Sequence, residues 1–316
     1  MNVLEPREVW SDGGTVILGA GAGLLFRGHI DAHGGSDAAS GGTLYLTPEV
    51  PLLSTTDGFE GARRLYLSDA AGKLPPNAAP GKAIDLTLGL FRFGASKLRK
   101  SGIDSLVIGL DPAKGTPVPP VEVFLDDDLE LNLGRSIIIN TQALNAISPD
   151  GNSSVILSAP YIAVHGYATS GKYPQADPLS PGTPGVTLTL KADTIDLGGQ
   201  FSLPDFGRVE FLSTGDIRFL TPAAYAYFRS SEDLTNPINV PGVMLAAGDL
   251  YFEAAQIYPA TGNRFIVDAV TPGATVTFRG NEHSADASPP ISAGGSLLVA
   301  ASHIDQGGVL RAPGGR

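Results

Sequence analysis

From Gly294 to Gly315 the chain reads GGSLLVAASHIDQGGVLRAPGG: a glycine pair, a short apolar run, a polar turn, a second glycine pair, another run and a third pair. Near the other end, Gly13 to Gly35 gives GGTVILGAGAGLLFRGHIDAHGG, with the same grammar in almost the same length. GDLYFEAAQIYPATGNRFIVDA, from Gly248 to Ala269, repeats the layout a third time. Self-similarity at a period of about 20 residues constrains the fold more than any other feature. A unit that short cannot bury an apolar face alone and must stack on its neighbours.

The runs inside the units have strand character. Thr43–Thr47, Ile84–Leu88, Val121–Leu125, Leu129–Leu133, Val186–Leu190, Val209–Leu212 and Thr275–Phe278 alternate apolar and polar residues with the period of two that a strand needs. Helical periodicity is thin; its best stretches, Gly61 to Ala71 and Pro222 to Arg229, are short and bounded by Gly or Pro. The 40 glycines and 25 prolines of the 316 residues lack collagen spacing and fall between β-branched runs, which favours many strands joined by many turns. Leucine-rich repeats need a leucine and asparagine framework that is missing. The pattern predicts an all-β chain folded as one right-handed parallel β-helix, a β-solenoid of about ten coils and roughly 50 Å. Loop insertions are expected near 48–80, 111–120 and 170–184. A β-sandwich is the competing fold; its hairpin signals would be Asp12-Gly13, Asp57-Gly58 and Asp150-Gly151.

Charge narrows the function. The net charge is −11, and the one modest basic cluster is Lys97-Leu98-Arg99-Lys100, so a nucleic-acid surface is not expected. No run reaches the ~20 apolar residues of a membrane helix. The N-terminal residues MNVLEPREVWSDGG lack a signal-peptide pattern. With no cysteine there is neither a disulfide framework nor a thiolate metal site. The chain is expected to be a fragment of a longer one, because its last unit stops where another strand would follow.

Several groups carry residue types found in sites. Asp126-Asp127-Asp128-Leu129-Glu130 is the densest acidic run and could put Asp126 and Asp128 on one face, but it reads as a solvated corner. His29 and His33 flank Asp31; on a strand they would stand about 13 Å apart, too far to share an ion. His165 and His303 stand apart from such clusters. Glu282, His283, Ser284 and Asp286 supply triad residue types without a nucleophile turn. Gly19-Ala20-Gly21-Ala22-Gly23 lacks the helix that a phosphate-cradling loop requires. Asn132, Asn140 and Asn145 could form an axial ladder. Tyr167, Tyr173, Tyr225 and Tyr227 are the aromatics to examine for contacts. No catalytic, metal or cofactor residue is expected.

The phrase carried by Gly294-Gly295, Leu297, Val299, Ala301, Ile304, Gly308, Leu310, Ala312 and Gly314-Gly315 resembles the repeats of large exported bacterial adhesins of the filamentous haemagglutinin type. Gly13-Gly14, Val16, Leu18, Ile30, Ala32 and Gly34-Gly35 carry its looser N-terminal counterpart. The resemblance implies a shaft segment of a secreted or cell-surface protein, exported through an outer-membrane partner by two-partner secretion. Such a segment would act in adhesion, or present a distal module, against a surface glycan or protein. The family's Asn-rich export motifs and a C-terminal toxin are not found here. The alternative function is a β-helical polysaccharide lyase or glycoside hydrolase, which would need a groove lined by carboxylates from adjacent coils.

Overall fold

A computed structural model describes residues 10–20, 23–48, 63–69, 90–111, 116–117, 121–126, 128–166, 179–221 and 241–315. Within them the regular structure is strand, apart from one short 3-10 turn at Ala95–Lys97. Two large sheets, of 13 and nine strands, are parallel throughout. From Ile103 onward the chain alternates between the two sheets, adding levels to both, which is consistent with a β-helix or solenoid.

The 13-stranded sheet is bent into two legs. One level runs along the first leg, turns the bend, and continues along the second leg. Thr183–Gly198 and Phe206–Leu220 cross the bend as single long strands. The level below breaks there into Asn152–Ser158 and Tyr161–His165, and the level above into Asp249–Ala254 and Gln256–Pro259. Gln200–Leu203, Gly242–Ala246 and Arg264–Ala269 are successive members of the nine-stranded sheet. Nine levels there compare with the roughly ten coils expected from the repeat length.

The ends of the chain lie at opposite tips of the stack. Thr15–Ala20 and His303–Gly307 terminate the bent sheet, and Gly23–Leu25 and Ser296–Ala300 terminate the other. Parallel order rules out the sandwich, whose neighbours would be antiparallel hairpins. Asp150-Gly151 turns a corner between Ala143–Ile147 of one sheet and Asn152–Ser158 of the other, with Gly151 at φ 76°. Asp57-Gly58 lies outside the described residues. Among the described residues the one antiparallel pair is Leu110–Asp111 with Thr116–Pro117, at the 111–120 stretch.

Order is not strictly sequential. Arg63–Ser68 sits between Leu90–Gly94 and Val121–Asp126, so from Gly23–Leu25 the chain steps forward two levels of this sheet, back one, and forward two. The stretch 48–80 therefore carries a sheet strand, and in Gly61–Ala71, one of the two helical candidates, the described residues 63–69 hold that strand and no helix. Most of 170–184 and all of Pro222–Arg229 lie outside the described residues.

Inward residues line up because register is kept from level to level. Ile137, Ile162, Ile195, Ile217 and Ile257 form one column of the second leg, each 1% exposed or less. On the first leg Phe211, Phe252 and Phe278 stack with centroids 4.8 and 5.1 Å apart. In-register stacking puts like against like, which lets flat rings offset-stack and adds to their burial. Corners need small residues: Gly199 has φ 69°, and a Cβ there would lie 2.0 Å from the Gly166 carbonyl oxygen below it. Gly315 meets Gly295 in the same way, at 2.1 Å, which accounts for the stacked glycine pairs of the C-terminal unit.

Truncating the middle of the phenylalanine column should be costly. Phe252→Ala is expected to lower unfolding free energy by about 3–5 kcal/mol, and Leu298→Ser, on the exposed outer face, by under about 0.5 kcal/mol. Denaturant titration of both variants measures the difference.

Candidate functional site

At the bend between the legs the sequence turns to small or polar residues and proline. Ala159-Pro160, Ala192-Asp193 and Ser213-Thr214-Gly215 occupy it on three consecutive levels. The ladder slips between Ala192 and Thr194, an irregularity that bends a strand and unpairs a residue. The Pro160 carbonyl accepts from the Asp193 and Thr194 amides at 2.9 and 3.2 Å, and Gly215 from Ala255 at 2.8 Å, so the bend stays bonded along the axis. Along its outside runs a groove of about 650 Å³, from Asn132 at one end to His283 at the other. That size lies within the usual range of ligand pockets.

Its polar groups come from separate levels. Lys191 and Asp193 share one; Thr214 and Glu253 belong to the next two; Glu282 and His283 form the lip. Thr214 Oγ1 donates to Asp193 Oδ1 at 2.9 Å, and the Tyr251 hydroxyl donates to Glu253 Oε2 at 2.8 Å. The lip exists because the chain leaves the sheet after the first-leg strand Thr275–Gly280 and does not continue onto the second leg. The bridge from Ile257 to Leu310 then closes the ladder across the missing rung. Asn281 holds this excursion in place, with Nδ2 donating to the Ser213 and Thr214 carbonyls at 2.8 and 3.0 Å.

A second polar constellation lies on the outward face of the second leg. Asp196, 3% exposed, takes Arg218 Nε and Nη2 on its two oxygens at 2.6 and 2.7 Å, and the Tyr161 hydroxyl on Oδ2 at 2.6 Å. Asp216 accepts from Tyr258 at 2.7 Å and from Gln256 Nε2 at 3.0 Å. Burial, then the hydrogen bond to the carboxylate, pushes both tyrosine hydroxyls above their ordinary range, and Asp196 pushes Arg218 up. The bidentate fork and the hydroxyl leave Asp196 satisfied, so this cluster stitches four levels together rather than waiting for a reactant.

Of the candidates the sequence offers, Asn132, Glu282 and His283 line the groove and the other described ones lie away from it. Asp126 ends a strand, Asp127 lies outside the described residues, and Asp128 (φ 49°) accepts from the Ser154 amide at 3.1 Å. His29 and His33 are exposed; His33 Nδ1 is 2.7 Å from Asp31, whose carboxyl it holds below the usual range. His283 faces Glu282 at 3.6 Å, and Ser284 Oγ is occupied in the turn, accepting from the Asn281 amide and donating to Ala254. His303 is exposed on the last strand. Gly19 and Ala20 end one strand and Gly23 begins the next; Gly21 and Ala22 lie outside the described residues. Asn140 and Asn145 do bond along the axis, to the Ile108 and Val123 carbonyls at 2.8 and 3.5 Å, and not to each other. Asn132 lines the groove. Tyr167, Tyr173, Tyr225 and Tyr227 lie outside the described residues. Among the described residues no three His, Asp or Glu side chains converge as a metal site needs, and no helix is long and apolar enough to cross a membrane.

The Asp196–Arg218 pair escaped sequence reading, although its signal was present: opposite charges 22 residues apart, about one repeat, at outward positions of TIDLG and DIRFL. No family model matches the chain, and no curated protein or solved structure matches it.

His165, beside Asp196, has its Nε2 buried without a partner, and burial holds its pKa below the ordinary value of 6.5 despite the neighbouring carboxylate. The folded state therefore favours the neutral ring. Its contribution is full above pH 6.5 and is lost as pH falls through the depressed folded value. Denaturant titrations at pH 7 and pH 5 should show wild type losing more stability than His165→Gln over that interval.

Proposed function

We propose that the chain is a right-handed parallel β-helix serving as a structural and adhesive shaft segment of a bacterial surface or secreted protein of the filamentous haemagglutinin type. The observation that carries this reading is the parallel, in-register stack, with the glycine-bounded units at its opposite tips. A stack of hydrogen-bonded levels resists extension and sets two ends far apart, which is the work of a shaft. Export through an outer-membrane partner follows from the same family resemblance.

A polysaccharide lyase or hydrolase is the second reading, and the groove favours it, since Asp193, Glu253 and Glu282 come from different levels. Acid–base cleavage of a glycosidic bond calls for a carboxyl raised towards neutral pH beside the scissile bond. The carboxyls that burial raises, Asp205 and Asp268, do not line the groove.

Antibodies against the chain should label intact cells of the encoding bacterium, and deletion of the partner transporter should abolish the signal. Labelling seen only after permeabilisation contradicts the shaft reading. Release of reducing ends or unsaturated sugars from polysaccharide, lost in Asp193→Asn, would favour the enzyme instead.

A further inference from the structure

The groove at the bend has a chemistry that selects a ligand. Levels stacked as hydrogen-bonded strands repeat at about 4.8 Å, so its polar groups recur along a line at a spacing comparable to the advance of one sugar ring in an extended chain. Asn132, Ser158 and Lys191 line it with side chains that make no hydrogen bond among the described residues, while carboxylate oxygens add acceptors along its length. A polyol presents a donor and an acceptor at each hydroxyl and matches such a mixture.

Other extended polymers fit worse. Peptides are taken up at open sheet edges or by apolar and aromatic grooves, and this groove lies over paired strands with no aromatic platform in its lining. A nucleic-acid strand needs a basic channel. Here three carboxylates, Asp193, Glu253 and Glu282, face one lysine, Lys191. That balance repels acidic polymers and attracts cations.

We propose that this groove binds a linear saccharide that is uncharged or carries amino groups, lying along the stack axis. Asn281 is the positioning residue, since its two bonds to Ser213 and Thr214 fix the lip that bears Glu282 and His283. The proposal supplies a ligand for the adhesive reading and rests on that reading only for its biological setting.

Calorimetric titration with tetraglucosamine, its fully N-acetylated counterpart and tetragalacturonate tests it. The first two should bind, and galacturonate should bind at least about tenfold more weakly. The double variant Asp193→Asn, Glu253→Gln should lose the preference for free amines while its melting temperature holds. Asn281→Ala should weaken both binding sugars, and Glu253→Gln alone serves if Asn281→Ala does not fold. No binding of the first two sugars, galacturonate bound as tightly as they are, or affinities unmoved by the groove variants would each overturn the proposal. Saccharide binding without surface labelling leaves the groove assignment standing and removes the shaft reading; labelling without binding does the reverse.

Discussion

The backbone hydrogen bonds that join each level to the next carry the rest of the structure. In a parallel ladder every strand needs a neighbour on both sides, and a repeat of about 20 residues supplies one by returning the chain to the same point a level higher. Where the ladder is interrupted, a cause can be named. Pro184 has no amide hydrogen, and the pairing of Thr183–Gly198 with Phe206–Leu220 skips from Thr183 to Thr187 around it. At Ala192–Thr194 the slip makes the bend, and the bend makes the groove.

Stacking also explains why polar residues can sit deep in this molecule. Asp196 is nearly as buried as the isoleucines behind it, yet the levels on either side hand it a tyrosine hydroxyl and a guanidinium. Removing either charge would leave the other without its partner, the costly half of any buried pair. Asn140 and Asn145 use the same device in simpler form, each donating to a carbonyl one level away. The chain has no cysteine, so axial side-chain bonds and register take the place of cross-links.

Periodicity made the parallel stack legible, since alternating runs such as Val186–Leu190 and Thr275–Phe278 became strands with the inward residues their pattern implies. Glycine pairs marked corners because only glycine lets one turn approach the next so closely. The groove was not legible. Its lining is drawn from residues between Asn132 and His283, and no local pattern says which corner meets which. The acidic run at Asp126 drew notice by density, whereas the carboxylates that share the groove are single residues on separate levels. The backward step at Arg63–Ser68 was hidden for a related reason, because repeat length fixes the size of a level and not the order of filling.

The central claim is that neighbouring tours of the chain lie parallel and in register, and the absence of native cysteine allows a direct test. Thr187 pairs with Arg208 and Lys191 with Leu212. Adjacent strands about 4.8 Å apart fall within reach of a disulfide. Cysteines placed at 187 and 208, and separately at 191 and 212, should cross-link under mild oxidation, while 187 with 212 and 191 with 208 should not. Cross-linking of the second set in place of the first would mean antiparallel neighbours and would contradict the account.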